Sequence, residues 1–206
     1  MKHKERKAEL AAEAASQTDA LLAWCIDCAR DVVDNTPSIV STSTPLKAGE
    51  RALLELDGVQ LLEPRRAGAR WQGGTQRVSV HIPGTRSARY RVGSTRRHFV
   101  RVAEQLTVID AGLLTITTTR AVFVGSKESR EWLWAKLTGI YDEPGVARTS
   151  IGVSNRQQVS GVAYPPARAV EVRFYLELGA AAGNGTAKDL LAELEQERAS
   201  SKAKPE

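Results

Sequence analysis

Apolar and small residues in the first part of the chain recur every three to four positions, at Leu10, Ala14, Leu21, Trp24, Cys28 and Val32. That spacing lines one helical face and predicts a helix over 4–33. Charges at Lys4, Glu5, Arg6, Lys7, Glu9 and Glu13 fill its early turns. Asp34-Asn35-Thr36-Pro37 ends the helix, and 38–45 reads as an extended linker. From Leu46 the period changes to two. Apolar runs over 51–56 and 59–62 flank Asp57-Gly58, a hairpin signal. Further short strands are expected at 77–82, 89–92 and 101–109, the last closed by a turn at Asp110-Ala111-Gly112. The stretch 112–139 then reads as an antiparallel meander: Leu114-Ile116-Thr118, Ala121-Val122-Phe123-Val124, and a third run from Trp132 to Leu137 extending toward Glu143.

Two more short strands are expected at 149–153 and 158–164, with a turn at Asn155-Arg156. The segment 169–178, AVEVRFYLEL, alternates over its whole length and reads as the longest strand. A Gly-rich break at 179–185 follows. Thr186-Ala187-Lys188-Asp189 then opens a helix with a capping pattern and an apolar stripe of Leu190, Leu191 and Leu194. The tail 200–206 is polar and expected to be disordered. The pattern thus divides into an N-terminal helix (1–37, an interaction element), a linker (38–45), a β domain (46–199) and a tail. About eight short strands without intervening helices predict a mainly β fold, an antiparallel sandwich or open barrel with a capping C-terminal helix.

Composition changes this picture at one place. The 206 residues carry a net charge of +5, but the charge is uneven. Between Leu61 and Gln105 lie ten Arg against Glu63 and Glu104, which is 10 − 2 = +8 and leaves 5 − 8 = −3 for the remainder. Such an asymmetry points to an anionic partner, unless the arginines form an ordinary solvated surface. Arg86, Arg89, Arg91, Arg96 and Arg97, interleaved with Tyr90 and Phe99, are the candidate anion-binding residues, because guanidinium forks match phosphate geometry. A membrane surface, an acidic protein or a nucleic acid would each suit them. There is no apolar run of spanning length, and no secretory signal is read in the first residues. A cytoplasmic, membrane-peripheral location is therefore expected. Twenty Arg against nine Lys, with abundant Ala, suggest a GC-rich bacterial coding sequence.

Candidate chemistry is sparse. Trp24-Cys25-Ile26-Asp27-Cys28 has the spacing of a redox pair, but sits late in a helix rather than at the helix start a reactive thiol needs. Two buried cysteines on an apolar face is the plainer reading. His3, His81 and His98 are scattered and give no metal spacing with the cysteines. Gly73-Gly74-Thr75 lacks the Lys and helix of a phosphate loop. Asp110 is expected to cap a turn, and Trp132 and Trp134 to share one strand face in the core. No enzyme, metal or cofactor is expected.

The stretch from Asp110 to Gly125, with Gly112-x-Leu-x-Ile-Thr, then Arg120-Ala-Val-Phe-Val-Gly, resembles the core of bacterial PH-like and GRAM-like domains. The resemblance covers about 30 residues directly. It implies a bent seven-stranded β-sandwich capped by a C-terminal helix, and a binding module for acidic lipids or protein partners without chemistry of its own. The Arg-rich insertion at 64–100 and the N-terminal helix lie outside it. Nucleic-acid binding by the Arg cluster, and oligomerisation through the N-terminal helix, are the two alternative functions.

Overall fold

A computed structural model describes residues 2–36, 40–64, 71–75, 78–81, 89–92, 96–99, 106–156 and 158–203. Its framework is one seven-stranded antiparallel sheet formed by β1 (Ala52–Pro64), β6 (Leu106–Thr117), β7 (Arg120–Gly125), β8 (Ser129–Leu133), β9 (Leu137–Asp142), β10 (Arg148–Val153) and β11 (Ser160–Ala163). Their order is β8-β7-β6-β1-β11-β10-β9, so β8 and β9 are the edges and the sheet does not close. Two small ribbons lie between β1 and β6 in sequence. In one, β2 (Trp71–Thr75) pairs with β5 (Arg96–Phe99); in the other, β3 (Val78–His81) pairs with β4 (Arg89–Val92). The helices are α1 (Lys2–Val33), α2 (Ala169–Gly183) and α3 (Ala187–Ala203).

The sheet is strongly curved. β8 and β11 are four places apart, about 19 Å in a flat sheet. Yet the Trp132 indole N–H on β8 donates to Ser160 Oγ on β11 at 2.9 Å. The two halves of the sheet must therefore fold toward each other, with Trp132, Phe123, Leu61, Leu114, Ile116, Ile151 and Val162 buried between them. Helix α2 lies against this core. The Trp134 indole donates to the Thr117 carbonyl at 2.8 Å and packs under α2.

Several elements differ from the sequence expectation. Asp57-Gly58 is not a hairpin. Gly58, at φ +71, forms a bulge inside the single long strand β1, where the pairing with β6 shifts between Leu56 and Val59. A bulge and a two-residue turn use the same residue chemistry. Asp110-Ala111-Gly112 is likewise interior to β6 rather than a turn. Gly112 is required there for closeness: a Cβ would overlap the Val124 carbonyl on β7. The run from Trp132 to Leu137 is split by a 3-10 turn, Trp134–Lys136, which carries the chain from one sheet edge to the other. Trp134 therefore does not share a strand face with Trp132, although both are buried.

The segment 169–178 is helical, the first part of α2, and not a strand. It is apolar on nearly every side because α2 lies between the sheet and the other two helices, and an all-round apolar segment does not reveal its period. The helix continues through the expected Gly-rich break. A Cβ at Gly179 would meet the Thr117 carbonyl at 2.8 Å, and one at Gly183 would meet Trp134 at 2.5 Å. The turn comes only at Asn184-Gly185, with Gly185 at φ +73. Helix α3 then runs to Ala203, so 200–203 are helical, while 204–206 lie outside the described residues. The helix against the sheet core is α2; α3 packs with α1.

The second half of α1 belongs to the same core: Leu22, Cys25, Ile26 and Ala29 are buried, and Leu21, Trp24, Cys28 and Val32 pack against them. Trp24 meets Phe174 and Tyr175 of α2 at ring-centroid distances of 5.0 and 5.6 Å. Asp19 pairs with Arg198 and Lys202 of α3 at 2.7 and 3.2 Å, and Arg30 with Glu195 at 2.8 Å. Of the apolar face read along α1, only the part ahead of Thr18 stays open, with Leu10 exposed.

Candidate functional site

The Arg-rich segment enters and leaves the body at one place. Pro64, the last residue of β1, is paired with Leu106, the first of β6. Residues 65–105 are thus an excursion between two neighbouring strands, with ten Arg and one acid, Glu104. Arg89 and Arg91 belong to β4, and Arg96 and Arg97 to β5. Arg86, and the side chains of all five candidate arginines, lie outside the described residues, as do those of His3, His81 and His98. Gly73-Gly74-Thr75 is part of strand β2.

The body treats its arginines differently. Arg120 pairs with Glu50 and Glu131, Arg130 with Glu63 and Glu128, and Arg148 with Glu143. Arg168 pairs with Glu171, Arg173 with Asp142, and Arg198 with Asp19. Arg51 donates to the carbonyls of Asp31, Val32 and Thr36, tying the end of α1 to β1. These cations are held by the protein's own acceptors. The insertion carries a charge that its own sequence does not balance.

The polar centres of the body are structural. Asp110 Oδ2 accepts from the backbone N–H groups of Lys127 and Glu128 at 2.7 and 2.8 Å; Oδ1 accepts from the Ala111 N–H and the Ser126 hydroxyl. The Lys127 amide, with the other donors, outweighs burial and holds the carboxyl at about 2. Asp110 thus caps a turn, but the turn is 126–128 between β7 and β8 rather than its own. Gly125 leaves room for it, since a Cβ there would overlap the Asp110 carboxylate. The Asp110…Gly112…Gly125 spacing is therefore a packing device joining β6 to the β7–β8 turn. Asp110→Asn should lower the melting temperature at pH 7 and remove part of the acid limb of the stability curve. The sign follows from a lowered native value: this stability is present above the ordinary carboxylate range and is lost as pH falls toward 2. Melts of both proteins between pH 2 and 7 check it; parallel curves would show that Asp110 does not carry the effect.

The Cys25 thiol is pushed up to about 12 by burial. Burial raises Cys28 too, although Tyr175 Oη lies 3.6 Å from its sulfur. Thiols held protonated are poor nucleophiles and poor metal ligands, and both lie in the interior half of α1 rather than at a helix start. Among the described residues no three His, Cys, Asp or Glu side chains converge to hold a metal ion, and no helix is long and apolar enough to cross a membrane.

Besides the Glu50–Arg120 pair, sequence reading missed two polar features. Thr149 Oγ1 bridges Asp142 and the Tyr164 hydroxyl at 2.5 and 2.7 Å, and Arg173 closes the set from α2 by donating to Tyr164 at 3.2 Å. The other is Glu177, buried on α2 with neither carboxyl oxygen hydrogen-bonded. Glu177 is one of two acids in 169–178, which the strand reading sets on the face opposite Val170, Val172, Phe174, Leu176 and Leu178. No protein-family model matches the chain, and no curated protein matches it.

Proposed function

We propose that this protein is a non-enzymatic, PH-like binding module that presents its Arg-rich excursion to an anionic membrane surface. One observation carries the reading: the described arginines of the paired body clusters are satisfied internally, whereas the excursion from Pro64 to Leu106 gathers ten Arg with a single acid. A curved seven-stranded antiparallel sheet with a helix against its core supports the PH-like part. The acids Glu50 and Asp110 are spent on structural hydrogen bonds and the thiols are held protonated in the helix packing, which supports binding rather than catalysis. Arg86, Arg89, Arg91, Arg96 and Arg97 are the residues assigned to head-group phosphates, as bidentate donors.

Co-sedimentation with neutral phosphatidylcholine vesicles and with vesicles containing about a third phosphatidylserine tests this, at low and at physiological salt. Binding is expected to the anionic vesicles alone and to weaken with salt. With about 1 kcal/mol per surface cation, Arg96→Ala with Arg97→Ala should weaken it about 30-fold. Absence of binding to anionic vesicles at low salt sinks the reading. Tyr90 and Phe99 among the arginines favour a second one, single-stranded nucleic acid stacked on aromatic rings. It predicts a steep salt dependence against an oligonucleotide.

A further inference from the structure

Among the described residues Glu177 has no hydrogen-bond partner. Its residue is 6% exposed, and both carboxyl oxygens are buried without a hydrogen bond. A buried polar group in that state is costly, and a buried charge far more so. The groups that bear on it come from every side. Asp142 on β9 and Glu193 on α3 act on it with like sign, and the Cys25 thiol approaches from α1. Glu197 of α3 also bears on Cys25, and its own Oε1 is buried without a partner. One turn earlier on α2, Arg173 is already engaged by Asp142, the Tyr164 hydroxyl and the carbonyls of Glu143 and Val146. An ionised Glu177 would therefore meet like-charged Asp142 and Glu193, while Arg173, one turn away on its own helix, is committed to other acceptors.

The two sides of this junction are held differently. Helix α2 is locked to the sheet, with Gly179 and Gly183 pressed onto Thr117 and Trp134. Helices α1 and α3 are tied to each other by Asp19 with Arg198 and Lys202, and by Arg30 with Glu195. Between the two bodies lie apolar contacts, the Trp24–Phe174–Tyr175 rings, the Cys28–Tyr175 contact and Glu177, with Arg51 holding only the last turn of α1 to the start of β1.

We propose that Glu177 is a proton-dependent latch at this junction: protonated, it lets α1 and α3 pack against α2, and on ionisation it loosens them together as one unit. Burial, with Asp142 and Glu193 adding to it, raises its carboxyl well above the ordinary value of 4.5. The sign is fixed by linkage. The native junction binds a proton that the opened one releases, so the closed state is fully favoured below the ordinary carboxyl range and loses ground as pH rises toward Glu177's own value. One proton released per opening allows the open population to grow up to tenfold per pH unit in that window.

Amide hydrogen exchange on the full chain from pH 5 to 8, corrected for intrinsic rates, tests the latch. Protection in the second half of α1 and in α3 should fall with pH, while the strands keep theirs. Glu177→Gln, the neutral isostere, should hold both helices closed with no pH dependence; Glu177→Met should do the same without any polar group. Uniform, pH-independent protection of α1 and α3 in the wild type would overturn the proposal. An unchanged pH dependence in either folded variant would also overturn it, by assigning the effect to another group.

Discussion

Arg120→Met is expected to lower the free energy of unfolding by about 3–5 kcal/mol, the range for removing one member of a buried ion pair. Glu50 is the buried partner. Its side chain is fully enclosed, and its oxygens accept from Arg120 Nε and Nη2 at 2.8 and 3.0 Å, from the hydroxyls of Thr117 and Thr119, and from the Lys47 N–H. Burial alone would raise the Glu50 carboxyl; the Arg120 guanidinium and these donors overcome it and hold the group at about 2. Without Arg120 the carboxylate stays enclosed with no counter-charge. The same guanidinium donates to the Pro45 carbonyl at 2.9 Å and pairs with Glu131 at 2.6 Å. It thereby clasps the segment before β1 onto β7 and β8.

Urea unfolding followed by far-UV circular dichroism reads the effect. Glu131→Gln should cost less than about 1 kcal/mol, because that carboxylate is 40% exposed and its pair with Lys47 is a surface pair. Combining Arg120→Met with Glu50→Leu should cost less than the two single changes summed, since the orphaned charge is gone. A cost below about 1 kcal/mol for Arg120→Met would mean the pair is not a stability centre.

Excising residues 65–105 and joining Pro64 to Leu106 through Asn-Gly is expected to leave the body folded and to abolish binding to anionic vesicles. The paired ends of β1 and β6 are what an antiparallel two-residue connection bridges. Shortening the connection from 41 residues to two also lowers the closure cost, by up to about 3 kcal/mol. The excised segment carries ten Arg and Glu104, which is 10 − 1 = +9, so the net charge moves from +5 to 5 − 9 = −4. An acidic body is repelled by the surface the intact chain is proposed to bind. Circular dichroism and vesicle co-sedimentation on the same sample separate the outcomes. A folded variant that still sediments would move the binding surface onto the body, and an unfolded one would make the insertion part of the core.

Much of the framework was written in local pattern. The meander from β6 to β8 follows period-two runs divided by turn residues. The strands β10 and β11 follow short apolar runs around Asn155-Arg156, and the start of α3 follows the Thr186 signal. The insertion's charge is a property of composition alone. These features were legible because each depends on neighbours within a few residues, which is the range over which propensity and turn chemistry act.

What the tertiary structure decided depends on contacts far apart in sequence. Gly58 and Gly112 are strand residues because β6 and β7 stay paired alongside them; a Gly signal alone does not distinguish a bulge or a close approach from a turn. Residues 169–178 alternate as a strand would, yet they lie between a sheet and two helices, where burial on all sides erases the period. Trp134 turns away from its strand to reach the Thr117 carbonyl, and Gly179 and Gly183 sit where that ring leaves no room for a Cβ. Asp110 caps a turn sixteen residues away. Glu50 meets Arg120, and Glu177 meets no hydrogen-bond partner among the described residues, because side-chain partners are set by the packing of whole elements. The sequence by itself determined the β-rich centre, both terminal helices and the uneven charge; the curvature of the sheet, the helix against its core and the partners of Glu50, Asp110 and the two buried indoles were fixed only when distant segments met.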